Sequence, residues 1–350
     1  MSGRGEGADV AEPEWPPLTS GGSVGTRWEA LADDALAGQP PTRAQALDVL
    51  RAPDDELLSL LDAAFRVRRA SFGMQVKLNM LVNAKSGVCP EDCGYCSQSI
   101  VSTAPIERYS LVSADVLVAG AHEAWARRAG TYCIVASGRG PSARELRQVS
   151  AAVRQIKDEL PMKVCACLGL LTDDQARMLA DAGVDRYNHN LNTSRDHHGA
   201  ITTTHAYDDR VATLQAVRRA GISPCSGFIA GMGESDEQLV DLAFALHELD
   251  ADSIPVNFLH PIPGTPLANV DELDPRRCLR ILALLRFVCP TKEIRVAGGR
   301  ERNLRSLQAL ALYPANSIFV GDYLTTEGQE PTADWQMLED MGFEIERCAL

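Results

Sequence analysis

Residues 162–188 read Met162-Lys-Val-Cys-Ala-Cys-Leu-Gly-Leu-Leu-Thr-Asp-Asp-Gln-Ala-Arg-Met-Leu-Ala-Asp-Ala-Gly-Val-Asp-Arg-Tyr-Asn188. The apolar run at 162–168 predicts a strand, and 172–182 carries a helical pattern. Gly183 stands just after that pattern, where a left-handed residue commonly closes a helix. A second strand-like run follows at 184–188. One stretch therefore holds a strand, a returning helix and the next strand, which is the unit from which parallel sheets are made.

The same rhythm extends in both directions. Further strand candidates lie at 75–82, 131–136, 224–229, 253–259, 293–297 and 316–320, with helical patterns at 113–128, 143–160, 208–220, 236–249, 275–287 and 302–312. Gly130 and Gly221 follow their helices as Gly183 does. Eight strands with helices between them predict a parallel α/β sheet, and the count of eight suggests a closed (β/α)8 TIM-type barrel. An open doubly wound sheet is the alternative topology.

Ahead of the rhythm, the spacing predicts a helical lead-in. Thr42 is a candidate N-cap after Pro40-Pro41, with Ala46, Leu47 and Leu50 on one face; Asp54 or Asp55 opens a second helix carrying Leu57, Leu58, Leu61, Ala64, Phe65 and Arg68. The first residues are rich in Gly, Pro, Ser and Glu and too polar to offset ordering entropy. The expected organisation is a flexible extension over 1–41, N-terminal helices over 42–72, the barrel over 73–325, and a C-terminal helix and tail over 326–350.

Composition narrows the class. The 350 residues are 45% hydrophobic and 23% charged, as expected of a globular protein. With 34 Lys and Arg against 47 Asp and Glu, the net charge of −13 argues against a nucleic-acid or anionic-membrane binder, which needs excess cationic charge. The start has no secretory pattern. The most apolar helical stretch, 279–288, is short and interrupted by Arg280 and Arg286, so no membrane span is predicted. A cytoplasmic setting is expected, in which the ten cysteines remain thiols available for metal binding or chemistry.

Three of those cysteines form the segment Cys89-Pro-Glu-Asp-Cys93-Gly-Tyr-Cys96, in the loop after the first predicted strand. Three thiolates on one short loop can hold three irons of a cubane cluster and leave the fourth open to a ligand. A three-ligand zinc site is the plainer alternative, but zinc sites usually pair cysteines with a distant second pair or histidines, whereas the next cysteine, Cys133, falls inside a predicted strand.

The triplet resembles the signature of the radical S-adenosylmethionine superfamily. The resemblance implies that the open iron of a [4Fe–4S] cluster chelates S-adenosylmethionine and that Tyr95 packs near the adenine. The stretch Gly227-Phe-Ile229-Ala-Gly231-Met-Gly-Glu234 fits a second motif of that superfamily, which makes Gly227, Ile229 and Gly231 candidate cofactor-binding residues.

Cys133, Cys165 and Cys225 fall on predicted strands two, three and five, and Arg295 on strand seven. Alternate residues of a barrel strand point inward, so these four can meet inside. A buried Cys is as often a small hydrophobe; three on separate strands favour a second metal site. At this point the chain resembles the biotin synthase family from about residue 43 to the end. The matching segments are 89–96, Arg186-Tyr-Asn-His-Asn-Leu-Asn-Thr193, Ile201-Thr-Thr-Thr204, Pro224-Cys-Ser-Gly227, Ile254-Pro-Val-Asn257 and Arg295-Val-Ala-Gly-Gly-Arg300.

That resemblance implies an inner [2Fe–2S] cluster held by Cys133, Cys165, Cys225 and Arg295. It implies asparagines that grip the ureido ring of dethiobiotin at Asn188, Asn190 and Asn257, and an Arg210 that meets the methionine carboxylate. Asn192 stands where some relatives carry Asp as a ribose contact, so charge assistance is lost there. Cys167 is read as core; Cys278, Cys289 and Cys348 as structural; His189 as orienting its neighbours; His197 and His198 as solvated. The implied reaction is radical insertion of sulfur into dethiobiotin. A 5′-deoxyadenosyl radical takes hydrogen from carbon, and the inner cluster gives up sulfide. The implied partners are a flavodoxin- or ferredoxin-type electron donor, iron–sulfur assembly machinery and a second copy in a homodimer. Two rivals are another radical enzyme of the same fold with a different small substrate, and a non-catalytic iron–sulfur protein.

Overall fold

A computed structural model describes residues 24–87 and 89–346, with side chains from Arg27 onward. The polar tail before residue 24 and Cys348 lie outside the described residues. The predicted rhythm folds into a closed parallel barrel of strands β1 (Gln75–Lys85), β2 (Thr131–Ala136), β3 (Lys163–Cys167), β4 (Arg186–Asn188), β5 (Ser223–Cys225), β6 (Phe228–Ala230), β7 (Ser253–Phe258), β8 (Glu293–Val296) and β9 (Ser317–Phe319). Closure comes from β1 pairing with β9 in parallel, with Lys77 opposite Ser317.

The single fifth strand expected at 224–229 is broken into β5 and β6, both of which pair with β7. The cause is local. A Cβ on Gly227 would lie 1.8 Å from the Pro255 carbonyl oxygen, so only glycine lets the two backbones approach. Its N–H is taken by Asn190 Oδ1 at 3.0 Å and not by a ladder partner.

Helices alternate with the strands: α4 (Ala114–Ala126), α5 (Ala143–Glu159), α6 (Asp173–Asp181), α7 (His198–Ile201), α8 (Tyr207–Arg219), α9 (Asp236–Glu248), α10 (Pro275–Val288) and α11 (Arg300–Leu304). Their starts are written in the sequence. Ser142 with Glu145, Thr172 with Gln175 and Ser235 with Gln238 form reciprocal capping boxes, and Asp274 caps α10 ahead of Pro275. Gly183 and Gly221 are left-handed as expected, at φ 91° and 79°. Gly130 is not; Arg128 takes that conformation instead, at φ 63°. The helix expected at 302–312 is only partly α-helical: α11 ends at Leu304 and a 3-10 segment, Arg305–Leu312, follows.

The lead-in is longer than expected. Helix α1 (Val24–Leu36) occupies part of the region read as flexible, ahead of α2 (Arg43–Leu50) and α3 (Leu57–Phe72). Trp28, Leu31, Ala32 and Ala35 of α1 are buried, and Trp28 Nε1 donates to Glu56 at 3.0 Å. Thr42 is the N-cap of α2, as predicted. These helices cover α10, which explains why α10 is buried from Cys278 to Val288 without a polar face. Arg286, one of the two charges that interrupt the apolar stretch, donates to the carbonyls of Pro314, Pro290 and Lys292 and to Asn316 Oδ1. A buried guanidinium is tolerable only with such donors matched. At the far end, α12 (Pro331–Asp340) leads into β10 (Glu344–Ile345), which pairs with the start of β1. Among the described residues no helix is long and apolar enough to cross a membrane.

Candidate active site

One cavity of about 390 Å³ runs from the middle of the barrel to the C-terminal ends of the strands, the face where barrel enzymes build their sites. Cys133, Cys165 and Arg295 line its depth; Cys89, Cys93 and Cys96 line its mouth.

The mouth is shaped by the segment after β1. The Cys96 N–H donates to Cys93 O at 3.1 Å and the Ser99 N–H to Cys96 O at 3.2 Å, which curls the three thiols into one turn. The acidic pair inside the motif ties this turn down. Asp92 accepts from the hydroxyls of Thr202, Thr203 and Thr204 at 2.6, 2.5 and 3.0 Å, and from the Thr203 N–H at 2.9 Å. Glu91 accepts from Thr204 Oγ1 at 2.5 Å, from Arg139 at 3.1 Å and from the His205 ring. The Ile201-Thr-Thr-Thr204 segment, which sequence reading carried without a role, is thus the anchor of the cysteine loop. Burial pushes the Cys89 and Cys93 thiols up and Cys96 to about 12. At neutral pH these groups hold protons, which a metal would have to displace.

Beside the loop, Tyr95, Asn192 and Arg210 form one network. With its amide oriented to face donors, Asn192 Oδ1 accepts from Tyr95 Oη at 2.6 Å and from Arg210 Nη2 and Nη1 at 3.0 and 3.1 Å. Asn192 sits at φ 69°, a conformation Asn tolerates better than most residues. Arg210 is buried, and its Nε has no partner among the described residues. Ile229 also lines the cavity, whereas Gly227 and Gly231 do not. Gly231 belongs to a turn at φ 89° whose N–H, with that of Met232, is held by Glu234 at 2.7 Å.

Asn188, Asn190 and Asn257 all reach the cavity wall. Part of their capacity is already used. Asn188 Nδ2 donates to Asn190 Oδ1 at 2.9 Å and lies 3.4 Å from Cys225 Sγ, and Asn257 bridges Phe228 O and the Gly298 N–H, both at 3.0 Å. Those bonds use Asn188 Nδ2 and Asn190 Oδ1; among the described residues no hydrogen bond engages Asn188 Oδ1 or Asn190 Nδ2, an acceptor and a donor two residues apart.

Deeper in, strand register does what spacing could only suggest. Cys133 lies directly opposite Cys165 across β2 and β3. Cys133 and burial hold the Cys165 thiol well above its usual range, with Cys225 and the charge of Arg295 pulling the other way. Cys225 is fully buried behind Asn188 and does not itself line the cavity. Its contact with Cys165, then its burial, holds its thiol well above the usual range.

Burial works against the charge of Arg295, but Glu293 and the three thiols outweigh it and keep the guanidinium protonated. Its Nη2 donates to Glu293 at 2.6 Å and to Ser253 at 3.1 Å, and its Nε to Ser317 at 3.2 Å. Cys167, read as core, instead shares the cavity wall with Cys165, because residues two apart on a strand face the same side; burial pushes its thiol to about 12. His198 is buried, not solvated, and its Nε2 meets His205 O.

The candidate soft donors are two sets of three thiols, with the Arg295 guanidinium beside the inner set, where it would have to give up a proton to act as a ligand. Such soft ligands suit iron–sulfur clusters and not hard oxygen-seeking cations. Among the described residues no three His, Cys, Asp or Glu side chains converge on a point that would hold a single metal ion. Ligands of a cluster would need no such point, since they would be shared out over more than one iron.

Sequence reading missed Glu293, the Thr202–Thr204 anchor, Cys167 as a wall residue, and the segment Tyr323–Thr326, which closes one side of the cavity. Glu293 and Cys167 sit on predicted strands, where polar or thiol residues were a usable signal. The 323–326 segment has no periodicity to betray it.

Comparison with known proteins agrees with this architecture. The model of the radical SAM superfamily matches residues 84–246, and that of the biotin and thiamin synthesis associated domain matches 255–344. The biotin synthase of Bacillus pumilus (strain SAFR-032) is 61% identical over 323 residues, covering 92% of this chain and 98% of its own. That of Geobacillus kaustophilus (strain HTA426) is 62% identical over 319 residues, covering 91% and 96%. Among solved structures, methylornithine synthase superposes with a TM-score of 0.78 at 20% identity, over 91% of this chain and 98% of its own. The FeFe-hydrogenase maturase HydG from Carboxydothermus hydrogenoformans gives 0.78 at 16%, over 92% and 80%; these two establish the fold alone. With two-domain coverage and about 60% identity over nine-tenths of its length, the chain belongs to the biotin synthase family of the radical SAM superfamily.

Proposed function

We propose that this protein inserts sulfur into dethiobiotin to form biotin, using S-adenosylmethionine, a [4Fe–4S] cluster on Cys89, Cys93 and Cys96, and a [2Fe–2S] cluster on Cys133, Cys165, Cys225 and Arg295. The observation that carries this reading is the cavity that joins Cys89, Cys93 and Cys96 at its mouth to Cys133 and Cys165 at its depth, with asparagine amides on its wall. Loaded, the outer cluster supplies the electron that cleaves S-adenosylmethionine, and the inner one supplies sulfur.

The chain's own residues position and enclose. Arg210, Asn192 and Tyr95 hold S-adenosylmethionine: Arg210 offers its cation to the methionine carboxylate, Asn192 an uncharged hydrogen bond to the ribose, and Tyr95 a flat face near the adenine. Asn188 Oδ1 accepts from a ureido N–H, and Asn190 Nδ2 donates to the ureido carbonyl. Ile229, Phe258, Leu259 and Phe319 supply apolar wall that keeps water from a reactive carbon. No acid–base group is required at the reacting carbons.

The reading needs a one-electron donor of the flavodoxin or ferredoxin class, iron–sulfur assembly machinery to rebuild the inner cluster, and a homodimer as the working form. Anaerobic reconstitution with reductant, S-adenosylmethionine and dethiobiotin tests it. Formation of biotin is expected. Cleavage of S-adenosylmethionine without biotin points to another substrate, and absence of cleavage removes the radical reading altogether.

A further inference from the structure

Beneath the inner thiols lies a charged layer that the reaction as described does not use. Glu293 is fully buried and accepts from Arg295 on one oxygen and from Arg186 on the other, each at 2.6 Å. Lys77 Nζ approaches at 3.4 Å, and Ser317 and Ser253 complete the carboxylate's shell at 3.0 and 3.3 Å. Three cations therefore face one carboxylate. Lys77 also approaches the partly exposed Glu346, at 3.6 Å.

Register puts this layer against the thiols. Arg186 is the cross-strand neighbour of Cys165. Glu293 is the neighbour of Ser253, which is in turn the neighbour of Cys225. An isolated Arg295 could swing between rotamers; gripped at Nη2 and Nε, it has one placement.

We infer that Glu293 and Arg186 are positioning residues for the inner site: Glu293 fixes the direction of Arg295, and the excess positive charge of the layer favours an anionic occupant among Cys133, Cys165 and Cys225. This rests on the inner-cluster reading given above. A buried charge acts through a low effective dielectric, so Glu293 and Arg186 bias the electron affinity of that occupant in opposite senses. Glu293 opposes the added electron, and Arg186 favours it.

The experiment is a redox titration of the anaerobically reconstituted protein, followed by absorption and paramagnetic resonance, on the unmodified chain and on Glu293→Gln, Arg186→Gln and Lys77→Gln. The expected result is a more positive inner-cluster potential in Glu293→Gln and a more negative one in Arg186→Gln. Each shift should change the reduction equilibrium at least tenfold, 59 mV for one electron. Lys77, partly exposed, should give a smaller negative shift and serves where a fully buried substitution fails to fold. The outer cluster's potential should not move.

Shifts of the same sign in all variants, or none in a fully loaded protein, overturn the inference and leave the parent reading intact. Absence of an inner-cluster signal in the unmodified chain overturns the parent reading, and this inference with it.

Discussion

Two donors of Thr203 meet Asp92: its hydroxyl donates to Oδ2 at 2.5 Å, and its backbone N–H to Oδ1 at 2.9 Å and Oδ2 at 3.2 Å. The two residues are far apart in sequence, yet the bond decides where Cys93 sits. Replacing Asp92 with Ala removes a charged acceptor from several donors, at about 1.5–3 kcal/mol for a hydrogen bond to a charged group. The expected result is faster amide exchange over 89–98 in the metal-free chain and faster loss of iron to a chelator, with the melting temperature little changed. Unchanged exchange in that segment would show that the anchor is idle.

Arg210 is buried, its Nε without a partner among the described residues and its other nitrogens on Asn192 and Asn190. Arg210→Met is expected to raise the KM for S-adenosylmethionine by about ten- to a hundredfold, the equivalent of losing one charge-assisted hydrogen bond. kcat for its cleavage at saturation should fall far less. A loss confined to kcat would place Arg210 elsewhere in the chemistry.

Cys165 lies opposite Cys133 in register and its titration is tied to both Cys133 and Cys225, so Cys165→Ser removes the centre of the inner set. Cleavage of S-adenosylmethionine should persist while biotin formation is abolished, measured in one anaerobic assay. A full yield of biotin from that variant would sink the inner-cluster proposal.

Arg300 and Asp334 form a buried pair with Nη1 to Oδ1 at 2.7 Å, which ties α12 to the barrel. Burial raises the Asp334 pKa, and Arg300 only partly offsets this. Asp334→Ala leaves the buried guanidinium with Glu301 as its remaining acidic partner, so the loss is that of hydrogen bonds to a charged group, about 1.5–3 kcal/mol. A fall of that order in urea-unfolding free energy is expected. The Tyr323 hydroxyl contacts Glu301 at 3.1 Å, so the cavity wall should loosen as well, seen as faster proteolysis near 323–326.

Burial lowers the His198 pKa in the folded chain, below the ordinary value of about 6.5. The unfolded chain therefore binds a proton first as the medium becomes acid. His198 costs no stability above about pH 6.5 and destabilises progressively as pH falls below it. In the metal-free chain, His198→Gln should flatten the fall in unfolding free energy between about pH 6.5 and 5, the span just below that ordinary value. An unchanged slope would assign the effect to other groups.

Much of the barrel was legible because its causes are local. Strand runs, capping pairs such as Ser142 with Glu145, and Gly183 after its helix all act within a few residues. The cysteine triplet was legible for the same reason. Helix α1 escaped because its apolar face is narrow and becomes useful only when α3 is present to cover it. The fifth strand read as continuous because nothing near Gly227 in sequence announces that Pro255 lies against it.

The sequence by itself determined the alternation of strands and helices, the loop that carries Cys89, Cys93 and Cys96, and the candidates for the inner site. Those depend on periodicity and turn chemistry, which neighbours along the chain settle. Only the tertiary structure decided that Cys133 faces Cys165, that Thr203 holds Asp92, and that Glu293 lies between Arg186 and Arg295. These pairings arise when the barrel closes and excludes water. Closure fixes register between distant strands, and only a dry interior makes an unpaired charge costly enough to demand its partner.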